Sequence, residues 1–182
     1  MKLCVTVVFS GLLFSVASCP LRAQVQKETE GQQSCRKFVQ AFYDWYAPMA
    51  AGDHAGRSSD RALKDKRAAF SSELARGLEE DSKAQSNANE IVGLDFDPFL
   101  GGQDTCEPYS LKRVIRTGSK CWVEVYGNSC EKRPKPDVVA ELELKDGMWS
   151  FVNFRYPNLG KDTNLLNILK QLSAARKKSK AK

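Results

Sequence analysis

At 182 residues the chain suits one domain with trimmings and is long enough to bury a real core. Its formal charge of +6 belongs to its ends: Lys2, Arg22, Lys170, Arg176, Lys177, Lys178, Lys180 and Lys182 are eight cations, and without them residues 24–169 carry −2. The mildly acidic body excludes a nucleic-acid-binding domain inferred from the high pI alone, and one histidine with no C-x-x-C pair excludes an ordinary zinc site.

The first segment has the form of an export signal. Lys2 precedes an apolar run, Leu3 to Ala17, that is short for a bilayer span. Two processing sites compete. Cleavage after Ala23, following Leu21-Arg22, is the expected one, giving a signal peptide of residues 1–23. The alternative is a lipobox, Val16-Ala17-Ser18-Cys19, with a lipid anchor on Cys19 and an outer-membrane lipoprotein as the product; Pro20 disfavours it. The expected address is periplasmic or extracellular, with no transmembrane span in the mature form. Either cut removes Cys4. The remaining cysteines, Cys35, Cys106, Cys121 and Cys130, predict two disulfides in one of three connectivities.

After a polar lead (24–33), Ser34 is the expected N-cap of a helix from Cys35. Phe38, Phe42, Trp45 and Met49 recur at three- and four-residue spacing, with Val39 and Tyr46 alongside, so the helix has one broad apolar face. Its aromatics suit a core first and a pocket wall second. Pro48 is expected to close or kink it near Tyr46. The loop from Gly52 to Ser59 carries His54, which reads as an exposed histidine. Ser59 or Asp60 starts a second helix reaching Phe70, and Ser71 caps a third with Leu74 and Leu78 one turn apart. Polar residues 79–89 end the helical half.

The stretch 93–106 joins that half to a strand-rich one and is dense in acids, aromatics and glycines. Asp95 and Asp97 alternate with Leu94 and Phe96, so a strand here would put both carboxylates on one face. Asp95, Asp97 and Asp104 supply hard oxygens, but the Asp-x-Asp-x-Asp-Gly order and closing glutamate of a calcium loop are missing. No metal or other cofactor is expected.

Two hairpins follow. Residues 111–117 and 120–126 flank Gly118-Ser119, and residues 138–145 and 148–156 flank Asp146-Gly147. The second turn sets Leu144 opposite Trp149, Leu142 opposite Phe151 and Ala140 opposite Asn153 on the buried face. Asn153 there either lines a cavity or bonds a nearby loop. The first turn sets Glu107 opposite Cys130, one residue from Cys106, a mismatch that a bulge absorbs. Cys121 shares a face with Val123 and Val125, where the first helix must pack. The predicted bridges are therefore Cys106–Cys130 and Cys35–Cys121. Asp162 or Thr163 caps a last short helix with Leu165, Leu166, Ile168, Leu169 and Leu172. Residues 34–173 form a single α+β domain, N-terminal helices on a curved antiparallel sheet. Residues 174–182 are expected to be a disordered basic tail whose removal spares the fold, without a nucleic-acid partner.

Three motifs, Phe42-Tyr43-Asp44-Trp45-Tyr46-Ala47-Pro48, Leu94-Asp95-Phe96-Asp97-Pro98-Phe99-Leu100 with Gln103-Asp104, and Gly147-x-Trp149-x-Phe151-x-Asn153-Phe154-x-Tyr156-Pro157, give residues 34–157 a resemblance to a group of small exported bacterial proteins. The chain resembles domain-of-unknown-function family 3828, similar in build to the nuclear transport factor 2-like, cystatin-like superfamily. The resemblance implies a cone-shaped helix-plus-sheet domain whose concave face holds a ligand, and it carries no catalytic residues to transfer. The leading expectation is a non-enzymatic module binding a small molecule or peptide through Tyr43, Trp45, Tyr46, Asp95, Asp97, Gln103, Asp104 and Asn153. The alternatives are a protein partner, inhibitor or accessory subunit, using the acidic loop 93–106, and a small isomerase or dehydratase with an Asp–Tyr pair.

Overall fold

Helix α1 (Glu30–Ala51) starts earlier than Ser34 suggests, because Thr29 and Gln32 form a capping box at its true beginning. Ser34 sits inside the helix, where its hydroxyl accepts the Trp149 indole N–H at 3.1 Å. The helix also runs past Pro48. Asp44, four residues back, and Pro48 are both exposed, so the carbonyl that proline leaves unbonded faces solvent. This computed structural model describes residues 28–52, 57–130, 133–160 and 162–180; the leader with Cys4 and Cys19, and His54, lie outside the described residues.

The expected second helix divides. Helix α2 covers Ser58–Asp65 and a 3₁₀ turn covers Arg67–Ala69. Helix α3 (Ser72–Ser86) is capped as expected, Ser71 Oγ accepting from the Leu74 amide, but it continues through residues read as its polar end. Four antiparallel strands follow in spatial order β1-β2-β3-β4: β1 (Tyr109–Thr117), β2 (Lys120–Gly127), β3 (Val138–Lys145) and β4 (Met148–Arg155). Gly118 has φ +60, and Asp146 and Gly147 have φ +51 and +78, the conformations that two-residue hairpin turns require. The chain closes with helix α4 (Leu165–Lys180). The tail expected to be disordered from 174 is therefore helical through Lys180. The class is α+β, with no helix among the described residues long and apolar enough to cross a membrane.

The β1–β2 register slips by one residue between Leu111 and Val114, and beyond the slip Tyr109 pairs with Gly127. Continuing that register places Cys106 opposite Cys130. The bridges are the predicted ones: Cys106–Cys130, Cα atoms 5.1 Å apart, and Cys35–Cys121, 6.7 Å apart. Along the chain they interleave, first cysteine to third and second to fourth. In the β3–β4 hairpin a bulge between Glu141 and Leu142 overturns the far half of the expected register: Leu144 faces Trp149 and Leu142 faces Phe151, but Ala140 faces Phe154 and Asn153 faces Glu141.

Helices cover one sheet face. Phe42, Phe70, Phe99, Phe151 and Phe154 meet there with ring centroids 4.8–5.7 Å apart. The other face carries Trp122, whose indole donates to Glu141 at 3.0 Å, with Arg155 paired to the same carboxylate. Both sheet edges are occupied. Gln32 and Arg36 of α1 donate to the β1 carbonyls of Val114, Leu111 and Lys112, and β4 is met by the Ser71 amide at Phe151 and by a bridge from Asn164 to Arg155.

Candidate functional site

The 93–106 stretch is not a strand. The Asp97 amide donates to the Gly102 carbonyl and the Gly101 amide to the Asp97 carbonyl, closing a tight turn in which Gly101 has φ +75. A side chain at Gly101 would also strike the Asp137 carbonyl, 2.8 Å from an ideal Cβ. The turn drives Phe99, fully buried, into the aromatic core. Three tyrosine hydroxyls hold three successive residues: Tyr46 donates to Asp97 Oδ2 at 2.5 Å, Tyr156 to the Pro98 carbonyl at 2.8 Å and Tyr43 to the Phe99 carbonyl at 2.7 Å. The other Asp97 oxygen, Oδ1, accepts the Phe99 and Leu100 amides at 2.9 and 3.1 Å. Burial pushes the Asp97 carboxyl above its ordinary range, opposed by those hydrogen bonds and by Arg57. Burial and then the Asp97 charge push Tyr46 far above the usual phenol range.

The eight candidate residues therefore separate. Tyr43, Tyr46 and Asp97 hold the turn, and Asn153 Oδ1 accepts the Leu166 amide at 3.2 Å, tying α4 to the sheet. Of its two expected roles, Asn153 takes the loop-bonding one. Trp45 lies half-buried on α1 with Lys66 Nζ 5.3 Å from its ring centroid. Asp95, Gln103 and Asp104 are exposed, and Gln103 Nε2 donates to the Asp95 carbonyl at 3.0 Å. The expected common face of Asp95 and Asp97 does not form, because the turn sends one outward and one inward.

Sequence reasoning missed a second polar centre. Asp81 of α3 is fully buried and takes three donors: Arg176 of α4 at 2.8 Å, the Leu94 amide at 3.0 Å and Arg57 at 3.3 Å. Arg57 also donates to the Leu94 carbonyl and Arg176 to the Val92 carbonyl. The backbone passes so close that a Cβ on Gly93 would lie 2.7 Å from Asp81 Oδ2. One carboxylate thus ties α2, α3, α4 and the start of the central stretch. Its signal was present in the sequence: Asp81 follows Leu74 and Leu78 at seven and three residues, on the apolar stripe of its helix.

Beside this centre lies a surface cleft of about 400 Å³. Ala50, Phe96, Pro98 and Leu100 supply apolar wall, and Arg57, Asp95, Gln103, Thr105 and Ser58 supply polar groups. Ile91 on its rim is 73% exposed. No family model, curated protein or solved structure matches the chain. The cleft can hold a short ligand with a small apolar group and hydrogen-bonding ends. Within the turn both Asp97 oxygens are engaged by hydrogen bonds, and burial holds the Tyr46 proton well above neutral pH.

Proposed function

We propose that the protein is an exported, non-enzymatic binding module that recognises a short peptide or protein segment at the cleft between α2 and residues 91–105. The observation that carries this reading is the division of the candidate polar groups. Those inside the domain are consumed in holding it together, while Asp95, Gln103 and exposed Ile91 stand around an open cleft on a rigidly seated loop. The site differs from the sheet concavity expected earlier, where phenylalanine rings fill the space. The two disulfide pairs suit an oxidising compartment, and the resemblance of residues 34–157 to small exported proteins belongs to the same reading.

Peptide display against the full chain tests it. Selected peptides should lose at least tenfold in affinity to Asp95→Lys or Ile91→Asp, and nothing to Asp146→Lys in the distant hairpin turn. Peptides whose binding ignores both cleft variants would refute the assignment.

A further inference from the structure

A second surface carries its own chemistry. Because Arg176 turns inward to Asp81, it fixes the rotation of α4 and leaves Lys177 and Lys178 exposed. Lys83 of α3 and Lys177 face each other across a groove of about 420 Å³ between the two helices, with Ala84, Ala88 and Val92 in its lining. Glu80 is the one acidic residue lining it among the described residues, and the sequence has no acid after Asp162. Lys83, Lys177 and Lys178 take part in no ion pair among the described residues. Ile91, next to Val92 in the chain, projects into solvent.

We propose that the α3–α4 groove, lined by Lys83 and Lys177 and with exposed Lys178 next along α4, forms a docking surface for an anionic lipid bilayer, with headgroup phosphates on these three lysines and the small apolar floor against the interface. The cations match the sign of the partner, and Ala84, Ala88 and Val92 in the groove supply the small apolar contact that faces the interface. Single-stranded nucleic acid is the poorer match: neither α3 nor α4 contains an aromatic residue on which a base would stack. The cations act as an array only because α4 is ordered. A frayed tail would spread them at random, whereas the Asp81–Arg176 pair fixes Lys177 at the groove across from Lys83, with exposed Lys178 next along the helix.

The test is co-sedimentation of the full chain with phosphatidylcholine vesicles, with and without phosphatidylglycerol. It is run for the unaltered chain and for Lys83→Glu/Lys177→Glu/Lys178→Glu. The apolar leader is present in both chains, so their difference reads the basic face alone. The unaltered chain should bind anionic vesicles in a salt-sensitive way, and the triple variant should bind about a hundredfold more weakly, roughly fivefold or more per lysine. Lys145→Glu, an exposed lysine at the far hairpin, should change nothing beyond twofold, and an unshifted melting temperature shows that the triple variant folds. Equal partition of the two chains, equal binding to neutral vesicles, or binding to duplex DNA without binding to vesicles would each overturn the proposal.

Discussion

Arg176→Ala is the most informative single change, because the sequence alone assigns residue 176 to a dispensable tail. Arg176 loses two charge-assisted contacts, to Asp81 Oδ1 at 2.8 Å and to the Val92 carbonyl at 3.0 Å. Its side chain is 17% exposed and that of Asp81 is 0% exposed, so water does not fully replace them. Stripping a buried carboxylate of every partner costs about 3–5 kcal/mol. Here Arg57 and the Leu94 amide remain, so the loss should be about 2–3 kcal/mol, in the range of hydrogen bonds to charged groups. For a chain of this length that lowers the melting temperature by roughly 4–12 °C. Differential scanning calorimetry of Arg176→Ala beside Lys177→Ala, an exposed neighbour expected to cost under about 0.5 kcal/mol, reads the difference. A stop after Ala175 should lose about as much as Arg176→Ala. In an Asp81→Asn background the effect of Arg176→Ala should shrink by more than half. If Arg176→Ala matches Lys177→Ala, the buried centre is not holding α4, and the view of the tail as dispensable is restored.

Three further expectations follow from the same contacts. The Asp97 carboxyl titrates above its ordinary 3.8 in the folded state, so the folded chain holds that proton longer than the unfolded one. Its contribution to stability must fall as pH rises from about 3.8 through the folded value and then stay level. The melting temperature of the unaltered chain minus that of Asp97→Asn should therefore decline over that acid window, and a difference that rises instead would contradict the burial of Asp97. Gly93→Ala places a Cβ against Asp81 and should cost about 1–3 kcal/mol, with faster hydrogen exchange at the Leu94 amide as the local sign. Cys35 and Cys121 are fully buried while Cys106 and Cys130 are half-buried, so a mild dithiol followed by alkylation should label the second pair first; simultaneous labelling would show that the buried bridge is exposed by opening of α1.

The sequence was most legible where a local rule acts alone. The two turn dipeptides placed the hairpins, and the apolar faces of α1 and β2 brought Cys35 to Cys121. It was less legible where one residue alters a count. The bulge beside Glu141 moved Asn153 off its expected partner, and nothing in Ser150-Phe151-Val152-Asn153 marks the slip, because Val152 fits a strand in either register. The fate of the acidic loop was hidden for a different reason. Asp95 and Asp97 differ in role because three tyrosines, from α1 and from the residue after β4, converge on residues 97–99. That convergence exists only in three dimensions. Charge counting also misled: six cations without an acid suggest a solvated end, yet one of them, Arg176, answers a carboxylate 95 residues earlier.

The interleaving of the two bridges decides how the chain behaves once it is cut. Cys35–Cys121 spans every peptide bond from 35 to 121, and Cys106–Cys130 spans those from 106 to 130. A single cleavage anywhere between Cys35 and Cys130 therefore releases nothing, since one bridge or the other always joins the two pieces. A nicked molecule keeps all its residues, heavier by one water for each cut, until a reductant is added. In a protease-rich setting the domain's survival is then measured in hydrolysed bonds rather than lost molecules, and a cut loop leaves the helical half and the sheet joined.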